Sequence, residues 1–124
     1  MRSTAEQYVE VFDEAQALDS VGGDRESLTE VVGLMQAAWP TLLADIREGV
    51  AEGNLPAVKT AARLAQAAAR NVAARRACEA ALELETMADK GDLPATQRTS
   101  ENLELEVEIL QLALSMLGKS KNSL

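Results

Sequence analysis

From Pro56 to Cys78 the chain reads PAVKTAARLAQAAARNVAARRAC, and its apolar positions Val58, Ala62, Ala65, Ala69 and Val72 alternate in steps of four and three. That spacing places them on one face of an α-helix. Because most of these residues are alanine, neighbouring helices can approach this seam closely. The segment holds no Asp or Glu and carries Lys59, Arg63, Arg70, Arg75 and Arg76, although the whole chain has 20 Asp+Glu against 12 Lys+Arg and a net charge of −8. A charge reversal confined to one helix of an acidic protein reads as a face for an acidic partner. Its outward stripe at the same spacing is Lys59, Arg63, Gln66 and Arg70, with Ala67 beside it.

Punctuation divides the rest into further helices. Ser3 and Glu6 have capping-box spacing and Asp13 can start another short helix, which leaves the first 20 residues open between a short helix and an arm. Gly22-Gly23 ends that region. Asp24 then caps a long helix with an apolar stripe of Leu28, Val31, Val32, Met35, Leu42, Leu43, Ile46 and Val50. Pro40 lies inside it, removes an amide donor and crowds the carbonyl of Gln36, which predicts a kink. Gly53 closes this helix, and Asn54 caps the next with Pro56 in its first turn. Another helix is expected from about Ala74 to Lys90, stopped by Gly91. The last runs from Leu93 to Leu117, capped by Asp92 and ended by Gly118, with a core stripe of Leu103, Val107, Leu110, Leu114 and Leu117.

Four substantial helices joined by short loops imply an all-α, up-down four-helix bundle with a short N-terminal helix or arm. The 124 residues form one domain, with residues 119–124 as a frayed tail. Tyr8, Phe12 and Trp39 are the only aromatics, which favours packed helices over a sandwich or barrel. No apolar run reaches the ~20 residues of a membrane span. The N-terminus lacks a secretory apolar core, so a cytoplasmic protein is expected. Cys78 is alone and reads as a core residue, without a disulfide framework or thiolate metal cluster. The acidic balance argues against nucleic acid, which requires a broad basic footprint.

In order and spacing, these residues resemble a known family. ALDSVGGD (17–24), MQAAWPTLLADI with its proline pattern and Met35 in the place of an aromatic, EGNLPAVKTAA, and ARNVAARRACEAALELE are together similar to histidine-containing phosphotransfer (HPt) domains of two-component signalling, over about Val11–Leu117. Registered on Asn71-Val72 and Leu84-Glu85, the family's phosphoacceptor histidine falls at Arg63, its lysine at Gln66 and its glycine at Ala67. A further family glycine becomes Ala73, a change that reads as lengthening the helix. The chain contains no histidine. An arginine stays protonated and cannot act as that nucleophile. Gln66 could support phosphoryl oxygens only weakly by hydrogen bonding, and Ala67 adds a methyl group where a receiver would approach.

The resemblance implies a degenerate HPt module that binds a receiver domain of a response regulator or hybrid kinase, or a histidine kinase, without carrying phosphate. Its contact residues would be Lys59, Arg63, Gln66, Ala67 and Arg70, with Trp39 on the neighbouring helix as an anchor or a core residue. Three other readings stand beside it. The chain could be a structural or oligomerising bundle with no phosphorelay role, or the similarity could be coincidental. An enzyme or metal carrier is disfavoured, because bundle metal sites use inward Glu and His and no histidine base exists for a Ser or Thr nucleophile. No cofactor is expected. The pairs Glu79/Glu83 and Glu104/Glu108 read as solvated helix faces.

Overall fold

The structure, a computed structural model, describes residues 3–122, which form six helices and no strand. They are α1 (Thr4–Val11), α2 (Glu14–Ser20), α3 (Arg25–Glu52), α4 (Leu55–Asn71), α5 (Arg75–Asp89) and α6 (Leu93–Asn122). The N-terminal region is two short helices, beginning at the caps Ser3 and Asp13 that the sequence offers, rather than an arm. The sequence caps hold: Ser3 Oγ accepts from Glu6 N, Asp13 from Gln16 N, Asp24 from Glu26 N, Asn54 from Ala57 N and Asp92 from Ala95 N. Each side chain satisfies an amide that the first helical turn leaves without a partner. Gly118 does not end α6, which continues to Asn122. Of the segment expected to fray, residues 119–122 are helical, and residues 123–124 lie outside those described.

Packing follows the chain around a ring. Helix α3 packs on α4, α4 on α5, α5 on α6, and α6 returns to α3. Specific contacts give the neighbours opposite directions. Asn71 reaches Met35 while Gly49 meets Val58, Lys59 pairs with Asp89 while the Cys78 thiol meets the Gln66 carbonyl, and Arg47 pairs with Glu104 while Gln111 meets Gln36. The seam alanines lie at the centre: Val58, Ala62, Ala65, Ala69 and Val72 are all fully buried. Larger core residues come from the other helices, among them Leu28, Trp39, Ile46, Leu84, Leu103, Leu110 and Leu114. Approach is tightest at Gly49, where a Cβ would stand 2.8 Å from Val58 Cγ2. Helices α1 and α2 lie against α5, α6 and α3, and their corner buries Val11, Phe12 and Ala17.

The α4–α5 turn corrects the expectation that Ala73 lengthens a helix. Helix α4 stops at Asn71, and Ala73 has φ of 51°, the one positive φ at a non-glycine among the described residues. Its N–H donates to Arg70 O at 3.0 Å and the Ala74 N–H donates to Ala69 O at 2.9 Å. These two bonds make a Schellman stop, whose left-handed position is ordinarily glycine. The α3–α4 turn has the same pair of bonds with Gly53 in that position, at φ of 66°. The Ala73 carbonyl also accepts from Asp13 N at 3.1 Å, fastening the α1–α2 corner to this turn.

Pro40 is accommodated within α3, which remains one continuous helix. The carbonyl of Gln36, deprived of the residue-40 N–H, accepts from Gln111 Nε2 of α6 at 3.1 Å. A side chain from the facing helix thus replaces the missing backbone donor.

Two outcomes test these details. Ala73→Gly should stabilise the fold by about 0.5–1 kcal/mol, since relief of the left-handed strain exceeds the added unfolded-state freedom; urea denaturation midpoints measure it. Gln111→Met should cost about 1 kcal/mol in wild type by leaving the Gln36 carbonyl without a donor. In a Pro40→Ala background that cost should shrink, because residue 40 then supplies an N–H, and a double-mutant cycle reads the coupling.

Candidate partner-binding face

Helix α4 exposes one side. Arg63, Ala67 and Arg70 face solvent, as does Leu64 at 55% exposure, while Lys59 is partly covered. Two sequence expectations fail here. Gln66 is buried at 7% exposure rather than outward. Trp39 is fully buried at 0% exposure, so it is a core residue and cannot anchor a partner. Both follow from the ring packing. A helix flanked by two neighbours is covered over a wider arc than its central seam, and Gln66 lies on the arc facing α5. Trp39 sits at the α3–α6 contact, where it lines a groove of about 520 Å³ with Pro40, Leu43, Gln111 and Leu112.

The basic stripe is answered by α5. Lys59 Nζ lies 2.6 Å from Asp89 Oδ1, and Arg63 Nε donates to Glu85. Gln66 Nε2 donates to the other Glu85 oxygen at 2.8 Å. Because α4 and α5 run oppositely, the four-residue step from Lys59 to Arg63 matches the four-residue step from Asp89 to Glu85. The remaining cations divide in the same way. Arg75 pairs with Glu10 at 2.6 Å and Arg76 with Glu106 at 3.0 Å, whereas Arg70 has no ion pair among the described residues. Four of the five cations of the carboxylate-free segment are therefore held by carboxylates of the same chain. On the other flank of α4, a shallow groove is lined by Ala57, Thr60 and Leu64 together with Asp45, Glu48 and Glu52 of α3. The exposed face of α4 thus sets Thr60, Leu64 and Ala67, with the unpaired Arg70 beyond them, between a neutralised basic edge and an acidic one.

Glu85 and Asp89 were missed as members of this site. Their signal was the matching i,i+4 spacing, which acquires meaning only once α4 and α5 are known to be antiparallel. Of the pairs read as solvated, Glu79 and Glu83 are exposed, but Glu104 reaches across to Arg47 Nε at 2.5 Å. That contact, chiefly its hydrogen bond, holds the Arg47 guanidinium above its ordinary value. The hydrogen bond from Gln66, followed by that from Arg63, lowers the Glu85 carboxyl below its ordinary value, and the Lys59 hydrogen bond lowers Asp89 in the same way.

No nucleophile–base pair occurs on this face, and the chain has no histidine to provide one. Among the described residues no group of three or more His, Cys, Asp or Glu side chains could hold a metal ion. Also among the described residues, no helix is long and apolar enough to cross a membrane.

The lowered carboxyls fix the sign of a pH effect. Stability contributed by Glu85 and Asp89 is fully present above the ordinary carboxyl values, ~4.3 and ~3.9, and is lost as pH falls through their lower folded values. Urea midpoints measured from pH 7 to pH 2 should decline over that acidic range, and Glu85→Gln should flatten the decline. An unchanged profile in Glu85→Gln would show that the α4–α5 pairs do not couple to folding. No protein-family model matches the chain, no curated protein matches it, and no solved structure does.

Proposed function

We propose that α3–α6 form an up-down four-helix bundle of the HPt type and that the protein is a pseudo-HPt signalling module. In this reading it binds a receiver domain through the exposed side of α4, carries no phosphohistidine and is not an enzyme. The observation that carries the reading is the turn at Ala73. The family pattern N-x-G-A puts glycine at this position, and the backbone here takes the left-handed conformation that favours glycine, φ of 51°. The antiparallel ring of helices and the outward Arg63 at the phosphoacceptor-equivalent position give further support.

The ion pairs change which residues would do the binding. Arg63 and Lys59 are already engaged by Glu85 and Asp89, so an acidic receiver pocket would have to compete with those carboxylates. Leu64 and Ala67 supply accessible contact area, and Arg70 supplies the unpaired positive charge. Gln66 acts from behind by positioning Glu85. A second reading, a structural or oligomerising bundle without a phosphorelay role, is favoured by the same internal neutralisation and by the burial of Trp39.

Titration of receiver domains from the native host separates the two. Leu64→Asp should weaken binding by about 2 kcal/mol, roughly thirty-fold. Arg70→Glu should weaken it about five-fold and reduce its salt dependence. If no receiver binds, or if both variants bind like wild type, the structural reading stands. Incubation with a phosphorylated receiver should leave no acid-labile phosphate on the chain, and transfer comparable with that to an intact HPt domain would overturn the non-carrier assignment.

A further inference from the structure

The shallow groove between the end of α3 and the first turns of α4 has a volume of about 390 Å³. Its origin is the contact of Gly49 with Val58, where the helices approach so closely that a Cβ at residue 49 would stand 2.8 Å from Val58 Cγ2. Beside that contact α4 presents the small side chains of Ala57 and Ala61, and the groove stays open, with Leu64 at its side. The other wall is acidic. Asp45, Glu48 and Glu52 of α3 line it, all three are exposed, and no cation lines the groove with them.

These three carboxylates differ from those at the other helix contacts. Glu10, Glu85, Asp89, Glu104 and Glu106 each meet a cation of the same chain. Asp45, Glu48 and Glu52 have no ion pair among the described residues. Steps of three and four set them in one row along α3, where like charges one turn apart repel each other. The fold leaves that repulsion standing, and a cation from outside the chain relieves it.

The shape of the row identifies the occupant. Among the described residues no three such side chains converge on a point that could hold a metal ion. The row instead extends over seven residues of helix, ~10 Å at the α-helical rise, and matches cations spaced along a line. A polyamine would answer the charge but leave the apolar wall and Leu64 uncovered, and nucleic acid would be repelled. A helix carrying Lys or Arg in steps of three and four beside an apolar row answers both walls. We infer that the α3–α4 groove docks a basic amphipathic helix of a partner protein. Its cations lie along Asp45, Glu48 and Glu52, and its apolar row covers Ala57, Ala61 and Leu64. This goes beyond the receiver reading, whose free charge is Arg70; the two contacts share Leu64 but not the α3 carboxylates.

The probe is a labelled synthetic helix of ~14 residues, one leucine row flanked by lysines, titrated with the full chain and followed by fluorescence anisotropy. Glu48→Lys/Glu52→Lys should weaken binding by about ten-fold or more, whereas Glu30→Lys/Glu83→Lys, the same charge change at exposed positions elsewhere, should weaken it less than about two-fold. Leu64→Ser should weaken it about five-fold. All these side chains are exposed, so helical circular dichroism should be unchanged. A second peptide with serine for every leucine should bind about ten-fold more weakly or worse. Arg70→Glu, which reads the receiver contact, should not weaken binding of the leucine–lysine helix, so failure of either reading is seen separately. Equal losses from the two double variants would reveal diffuse attraction to an acidic protein and overturn the groove. A serine peptide that binds as tightly would overturn the amphipathic partner, and absence of binding by the leucine–lysine helix at ~1 mM would overturn the whole inference.

Discussion

The alanine seam of α4 controls how closely everything else can assemble. Ala61, Ala62, Ala65, Ala68 and Ala69 are all buried, and each contributes little apolar area by itself. Their value lies in separation: without branched side chains in the way, α3 and α5 pack closely on α4, and polar side chains meet across the α4–α5 contact. Gln66 can then touch Glu85, and Lys59 can touch Asp89, from the flanks of the same contact. Most of the apolar burial is supplied from outside α4, by Trp39, Ile46, Leu84, Leu103, Leu110 and Leu114. Spacing is set by one helix and cohesion by the others.

Close spacing also determines what the segment's positive charge can do. Two of the three cations on α4, Lys59 and Arg63, reach carboxylates of α5. Net charge by segment therefore misrepresents the surface, because the neutralising groups are remote in sequence but adjacent in space. Arg75 and Arg76 illustrate the point at the start of α5, where the helix dipole disfavours cations. Each is held by a carboxylate from another helix, Glu10 and Glu106 respectively.

The ends of helices were legible because their determinants are local. Ser3, Asp13, Asp24, Asn54 and Asp92 cap the helices that follow them, and Gly53 and Gly91 take the left-handed stops. Ala73 carries no stop signal of its own because alanine is a strong helix former; the turn is held by the Schellman bonds and by Asp13 N–H donating to its carbonyl. Burial around a helix was legible only along the central line. Gln66 lies off that line, and its burial required knowledge of which neighbour stands beside it. The burial of Trp39 has a local signal, since it stands four residues after Met35 and seven before Ile46, in register with the α3 core. The pairing of Lys59 and Arg63 with Asp89 and Glu85 was beyond reach of periodicity, because it depends on the direction of two helices.

The burial of Trp39 has an optical consequence. It is the chain's single tryptophan, it is fully covered, and its indole Nε1 meets no hydrogen-bond partner among the described residues. An indole so enclosed emits at shorter wavelength than one in water, and its emission moves to longer wavelength when α3 and α6 separate. Tyr8 is 40% exposed and far weaker as an emitter. The protein thus carries an intrinsic fluorophore that reports on the closure of its helical ring at the joint between its two longest helices, while circular dichroism follows the helices themselves. Comparing the two signals during unfolding would distinguish opening of that joint from melting of the chain.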